Sequence, residues 1–315
     1  MEPGTTGLSV WGAFLLLSGV GRADAAWTGS RWTYEGPHGP NHWKDEYLHC
    51  GKSAQSPINI QTQFVKYDSD LRPVHLNGYS KPDCKSFTLF NNGHTVQLNL
   101  PPTMHISSLD NRYTAVQLHL HWGSSALTEG SEHRVNGEAT HAELHVVHYN
   151  SEKYRNVSEA MSKEDGLAVL GILLEVGHFK NTAYENILKH LESVTFAGQG
   201  VTVPSFDVQS LLPEQLDKYF MYTGSLTTPP CFQSVLWIIF HQRVELSLSQ
   251  FKALKTDLFS TDPDTAPRLP LINNFRTIQP LSNRRVRASF SVGWTFNFRR
   301  AVMSLLKILS TKLHQ

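Results

Sequence analysis

The 315-residue chain has almost no excess of either charge. Its 28 lysines and arginines face 27 aspartates and glutamates, a formal balance of +1. Nucleic-acid binding driven by bulk electrostatics needs a strongly basic domain, so that class is set aside. Charge is scarce altogether, at 17% of residues, against about 25% in an average soluble domain. Hydrophobic residues make up 40% and aromatics 10%, which excludes a disordered chain, a coiled coil or a collagen. No apolar run reaches the roughly 20 residues that a transmembrane helix needs. The zinc-protease pattern His-Glu-x-x-His is missing, as are internal repeats, low-complexity blocks and a linker. One domain from about Trp32 to Phe290 is the simplest partition. Cysteine is rare too: Cys50, Cys84 and Cys231. In an oxidising compartment two of them can pair, in three ways, and one is left over.

The two ends differ from the middle. Leu8–Val20 is apolar, and Ala23-Asp24-Ala25 follows with the small-x-small pattern of a cleavage site. Residues 1–25 therefore read as a secretory signal, although Met1-Glu2-Pro3 carries no basic residue; an uncleaved apolar helix is the alternative. Asn156-Val157-Ser158 is then a candidate glycosylation site at Asn156. From Arg268 onward there is no acidic residue. Residues 291–315 form a basic tail in which Phe298, Val302, Leu305, Leu306, Leu309 and Leu313 recur at helical spacing. Such a segment can lie on an anionic membrane as a peripheral helix or pack as an ordinary terminal one.

The middle consists of short apolar runs between turn residues, the pattern of strands in a β-rich domain. The runs are Phe87–Phe90, Thr95–Leu100, Ala115–Trp122, Ala142–Tyr149, Leu167–Val176 and Ser234–Phe240. Asn91-Asn92-Gly93 reads as a turn between the first two. Helical spacing is best over Thr182–Val194 and Ser247–Leu258.

Histidine is the outlier, with 16 copies. In Gln117–Trp122, strand alternation turns Gln117, His119 and His121 to one side and Leu118, Leu120 and Trp122 to the other. Two imidazoles on one strand face are a ready pair of metal ligands. The segment His141–His148 can be read in two ways. As a helix it aligns His141, His145 and His148. As a strand it aligns Glu143, His145 and Val147, with His148 pointing away. The valines and the Tyr149-Asn150-Ser151 exit favour the strand. Three neutral imidazoles suit Zn²⁺ and leave a fourth position open. Gln117 and Glu143 each precede a ligand by two residues on its own face. They are placed to accept the other ring N–H of neighbouring histidines and fix the tautomer.

These segments resemble the α-class carbonic anhydrases, and the resemblance runs from Trp32 to Phe290. It is carried by Gln55–Ile60, Asn91–His94, Gln117–Gly123, Gly130–His133, Ala142–His148, Asp165–Leu170 and Ser225–Cys231. Trp32–Gly39 and Gln233–Trp237 are similar to the family's extracellular, membrane-anchored members. The resemblance implies an α/β, β-rich single domain around a large, mostly antiparallel twisted sheet with peripheral helices. It implies one zinc on His119, His121 and His145, with His141 and His148 structural. It further implies reversible hydration of CO2 to bicarbonate by zinc-bound hydroxide.

The same resemblance assigns roles. Thr227 orients the hydroxide and donates to a buried carboxylate, Glu132. Thr228 contacts bicarbonate. Val147, Val169, Leu226 and Trp237 form the CO2 pocket. His94 relays the proton outward, a task open to a histidine because an unperturbed imidazole has a pKa of about 6.5, helped by waters on Tyr34 and Gln97. Cys50 pairs with Cys231, leaving Cys84 free, and Pro57 and Pro230 are cis. Sulfonamides are expected inhibitors, and the location is secreted or on the outer face of the plasma membrane. The fold can also serve as a non-catalytic binding module. Members with that role lose one or more zinc histidines, and this chain has lost none.

Overall fold

Six apolar runs of the sequence become long or medium strands, and short pieces complete the sheet. A computed structural model describes residues 32–255 and 257–292. The apolar leader expected over 1–25 lies outside the described residues, as does all of the basic tail beyond residue 292. The main path has ten strands: β1 (Lys66–Tyr67), β2 (Ser86–Asn91), β3 (Val96–Asn99), β4 (Tyr113–Trp122), β5 (Ala142–Asn150), β6 (Leu167–Gly177), β7 (Gly200–Pro204), β8 (Tyr219–Gly224), β9 (Val235–Phe240) and β10 (Arg287–Ala288). Their order is β7-β2-β3-β4-β5-β6-β9-β8-β10-β1, and three short strands pair off this path. Most pairs are antiparallel; β6 with β9 and β10 with β1 are parallel. This is the single-domain, mostly antiparallel architecture that the resemblance implied.

Register places the site. One rung runs Gln97, His119, His145, Gly171 and Ile239 across β3, β4, β5, β6 and β9. The next runs Asn99, Gln117, Val147, Val169, Trp237 and Tyr222. Because side chains alternate along a strand, both rungs face the same side. Leu118, Leu120, Trp122, Leu144, Val146, Ala168 and Leu170 point to the other side, into the larger core cluster.

A bulge between Ala115 and Gln117 sets this phase. Before it, odd-numbered Tyr113 and Ala115 join the larger core. After it, odd-numbered Gln117, His119 and His121 face the cleft. One extra residue reverses the face of everything beyond it.

The helices are short. Thr182–Val194 is not one helix: a turn of α-helix, Glu185–Leu188, is followed by a 3-10 turn, Leu191–Val194. His190 between them leaves the helical region at φ −107°, ψ 2°. The helix expected over Ser247–Leu258 runs Leu248–Leu254, opened by a capping box of Ser247 and Gln250. It stops early because Lys255 is non-helical and Asp257 is left-handed at φ 60°. The Ser56–Pro57, Pro229–Pro230 and Ala266–Pro267 peptides are cis.

Candidate metal centre

His119 and His145 sit directly opposite each other on β4 and β5. Opposed residues on an antiparallel pair hold their Cβ atoms roughly 4.5–5.5 Å apart, close enough for two imidazoles to meet. His121 is two residues along on the same face. The ring nitrogens of the three histidines that could ligate an ion all lie within 4.8 Å of one another. Nε2 of His119 and Nε2 of His121 are 3.1 Å apart. Two zinc–nitrogen bonds of about 2.05 Å at a tetrahedral angle would set that separation near ~3.3 Å.

Each ring is held from behind by its other nitrogen. His119 Nδ1 donates to Gln117 Oε1 at 2.8 Å. His121 Nδ1 donates to the Asn274 carbonyl at 2.6 Å. His145 Nε2 donates to Glu143 Oε1 at 2.7 Å. Each bond fixes a tautomer that leaves the facing nitrogen with a free lone pair. Burial, aided by the neighbouring His121 and His145, pushes the His119 pKa well down. Burial also lowers that of His121, with Glu132 opposing. Neutral rings are the form that binds metal.

Glu143 is the anchor. Burial alone would raise its pKa, but His133 and His145 hold it well below the usual carboxylate range. Its Oε2 accepts the backbone N–H groups of Glu132 and His133 at 2.9 and 2.7 Å. Its Oε1 accepts His133 Nδ1 at 2.7 Å as well as His145. Gly171 opposes His145 on β6; a Cβ there would lie 3.2 Å from Glu143 Oε1 and 2.5 Å from Ile239 Cδ1, so a larger residue would have to displace the Ile239 side chain and crowd Glu143. His133, absent from the sequence-level site, continues the network: its Nε2 lies 2.7 Å from the Tyr222 hydroxyl.

Glu132 is buried, and its Oε1 accepts the Arg276 backbone N–H at 2.8 Å. Its Oε2 is buried with no hydrogen-bond partner. That oxygen lies 3.5 Å from His121 Nε2 and 3.9 Å from His145 Nδ1. The contact with Thr227 that the resemblance implied is therefore not made by this oxygen. An orphaned carboxylate oxygen beside His121 and His145 is what a bound cation would satisfy, so the residues present fit one. Three nitrogen donors with an open fourth direction match a catalytic zinc site.

The nitrogens line a cleft that opens to solvent. Thirteen of the residues singled out from the sequence line it: Tyr34, His94, Gln97, Gln117, the three histidines, Val147, Val169, Leu226, Thr227, Thr228 and Trp237. Trp237 packs on His145 with ring centroids 4.8 Å apart. Glu132 and Glu143 stand behind this wall. His148 points away into the core, where it contacts the Tyr79 hydroxyl and the Ala168 carbonyl. His141 is half-buried against Phe251.

His94 stands on the tight turn after β2, where Gly93 is left-handed at φ 84°. Its ring stacks on Trp32, 3.6 Å between centroids and 10° between planes. Burial in this position pushes its pKa down to about 4. Trp32, also missed, covers one face of the ring. Tyr34 meets the same two rings edge-on. Burial, then the charge of Glu132, raises its phenol pKa.

Cys50 and Cys231 form a disulfide, their Cα atoms 4.9 Å apart. The Cys231 N–H donates to the Thr228 carbonyl at 2.9 Å, so the bridge braces the threonine loop. Cys84 is free. Asn156 is exposed; its Oδ1 caps the short helix Val157–Ala160 by accepting the Glu159 N–H.

Comparison with known proteins agrees with this geometry. The chain is 48% identical to human (Homo sapiens) carbonic anhydrase 12 over 263 residues, which are 84% of this chain and 74% of the relative. It is 41% identical to bovine (Bos taurus) carbonic anhydrase 6 over 280 residues, 88% of this chain and 84% of the relative. Human carbonic anhydrase 6 is 41% identical over 265 residues, 83% and 84% of the two chains. Residues 38–290 match the eukaryotic-type carbonic anhydrase family. With that match across the whole sheet that carries the three histidines, the chain belongs to the eukaryotic-type carbonic anhydrases and is an enzyme of that family.

Proposed function

We propose that this protein is a zinc enzyme that interconverts CO2 and bicarbonate in an extracellular setting. The observation that carries the reading is the convergence of His119, His121 and His145 beside an apolar wall, with Glu132 and Glu143 behind. Bound there, zinc would supply the Lewis acidity that makes water nucleophilic at neutral pH; its lowering of the water's pKa to about 7 is an established carbonic anhydrase value, not one read from this structure.

The chain's own residues do the rest. CO2 has neither charge nor net dipole, and Val147, Val169, Leu226 and Trp237 offer it an apolar surface next to the three nitrogens. Thr227 and Thr228 give bicarbonate hydroxyl partners on the same wall. An ionised Glu132 can only accept. A donation from the Thr227 hydroxyl would satisfy its orphaned Oε2 and turn the threonine lone pairs towards the reacting oxygen. His94 carries the released proton outward. Stacked on Trp32 it is a poor proton acceptor; swung clear of that ring its pKa returns towards about 6.5. Tyr34 and Gln97 order the water between.

The proposed organisation is a signal peptide over 1–25, a catalytic domain over 26–290 and a basic tail over 291–315. The disulfide suits an oxidising compartment. The Asn156 amide, whose Oδ1 serves the helix cap, keeps its Nδ2 for a glycan.

Stopped-flow CO2 hydration by the zinc-loaded chain tests the reading. Rapid hydration blocked by a primary sulfonamide is expected. One bound zinc with no hydration would favour a non-catalytic binding module instead.

A further inference from the structure

Asn274 lies about 150 residues from the metal ligands in sequence, in a segment with no regular secondary structure. It is fully buried, and every polar position of its side chain is used. Its Oδ1 accepts the Trp122 N–H at 2.7 Å. Its Nδ2 donates to two carbonyls, His94 at 3.0 Å and Leu120 at 3.1 Å. Leu120 is the residue between His119 and His121, and Trp122 follows them. Asn274 therefore ties the turn that carries His94 to the strand that carries two of the three candidate ligands, while its own carbonyl holds the His121 ring.

A second fastening joins the same two elements. Thr95, next to His94, donates its hydroxyl to the Leu120 carbonyl at 2.6 Å. Its oxygen also accepts the Leu120 N–H at 3.3 Å. The relay turn is thus fastened to both backbone groups of one residue of the ligand strand, Leu120. Without such fastenings a turn can move independently of the strand beside it.

We infer that the Asn274 side chain is a positioning residue that sets the proton-relay turn of His94 against the metal strand, so that its loss impairs proton release rather than CO2 conversion. The inference rests on the proposed zinc-dependent reaction. Asn274→Asp is the sharpest perturbation. An ionised carboxylate cannot donate and a protonated one donates only once, so at least one of the two carbonyls loses its partner. The backbone carbonyl that holds His121 remains.

The test uses oxygen-18 exchange between CO2 and water at chemical equilibrium, on the zinc-loaded full chain. This separates CO2–bicarbonate interconversion from release of labelled water, which is limited by proton transfer. In Asn274→Asp, proton transfer should fall about tenfold or more, the scale of a lost general acid–base step. Interconversion should fall by less than proton transfer does, and added imidazole should restore proton transfer. In a His94→Ala background the substitution should add no further loss. Thr95→Val should show the same split, and it decides the matter if Asn274→Asp does not fold. Unchanged proton transfer in the folded variants would overturn the inference. So would an equal fall of both rates without imidazole rescue, which marks a merely structural role. A wild-type enzyme with no CO2 conversion would instead overturn the reaction on which the inference rests.

Discussion

Replacing Glu143 by Gln should weaken zinc binding without changing any metal-facing atom. The carboxylate accepts four hydrogen bonds: two from backbone N–H groups through Oε2, and two from His133 and His145 through Oε1. A glutamine must put its NH2 on one of these sides. Facing the backbone, it would orphan two N–H groups that have no other tautomer. Facing the histidines, it would force His145 to carry its proton on Nδ1, the nitrogen that faces the metal. The second arrangement is the cheaper, and it places a proton where zinc must bind. Losing one charge-assisted hydrogen bond costs about 1.5–3 kcal/mol. That converts to roughly 10- to 100-fold in zinc affinity, the usual range for losing a partner behind a metal-bound histidine. Competition against a chelator of known affinity at pH 7.5, with circular dichroism to verify folding, measures it. A folded Glu143→Gln protein that holds zinc within about twofold of wild type would refute the tautomer argument.

Two further outcomes follow from the same geometry. Trp32→Ala removes the ring stacked on His94, so the imidazole pKa should rise from its depressed value towards about 6.5, read by NMR titration of the ring protons; no upward movement would show that Trp32 does not cause the depression. The sign for stability is that of a histidine kept neutral by burial: the fold loses this contribution as pH falls from about 6.5 through about 4, and Trp32→Ala should shrink that loss. Asn156→Gln, expressed in secreting animal cells, should run faster on a gel and lose its shift on glycosidase treatment, whereas identical mobility of the two proteins would remove Asn156 as the glycan site.

The strand period made the imidazole pair on β4 legible, because His119 and His121 are two residues apart and alternate with leucines that need a core. His145 was legible once valines argued for a strand in place of a helix. The bulge at the start of β4 was not, because nothing in Ala115-Val116-Gln117 distinguishes an extra residue from a regular one. His133 went unread for a different reason. Its neighbour Glu132 carried the expected role, and the demand for His133 arises only from the spare acceptor positions of Glu143. Asn274 has no local signal at all, since its partners lie more than 150 residues away. The helices were overextended because apolar spacing continues past His190 and Lys255, where the backbone leaves the helical region.

The central claim is that three histidines hold a catalytic zinc. His145→Ala, purified beside wild type, tests it by zinc content and CO2 hydration measured on the same samples. One zinc per chain and rapid hydration in wild type, with both lost in the folded variant, is the predicted result. A His145→Ala protein that still hydrates CO2 at the wild-type rate would contradict the account.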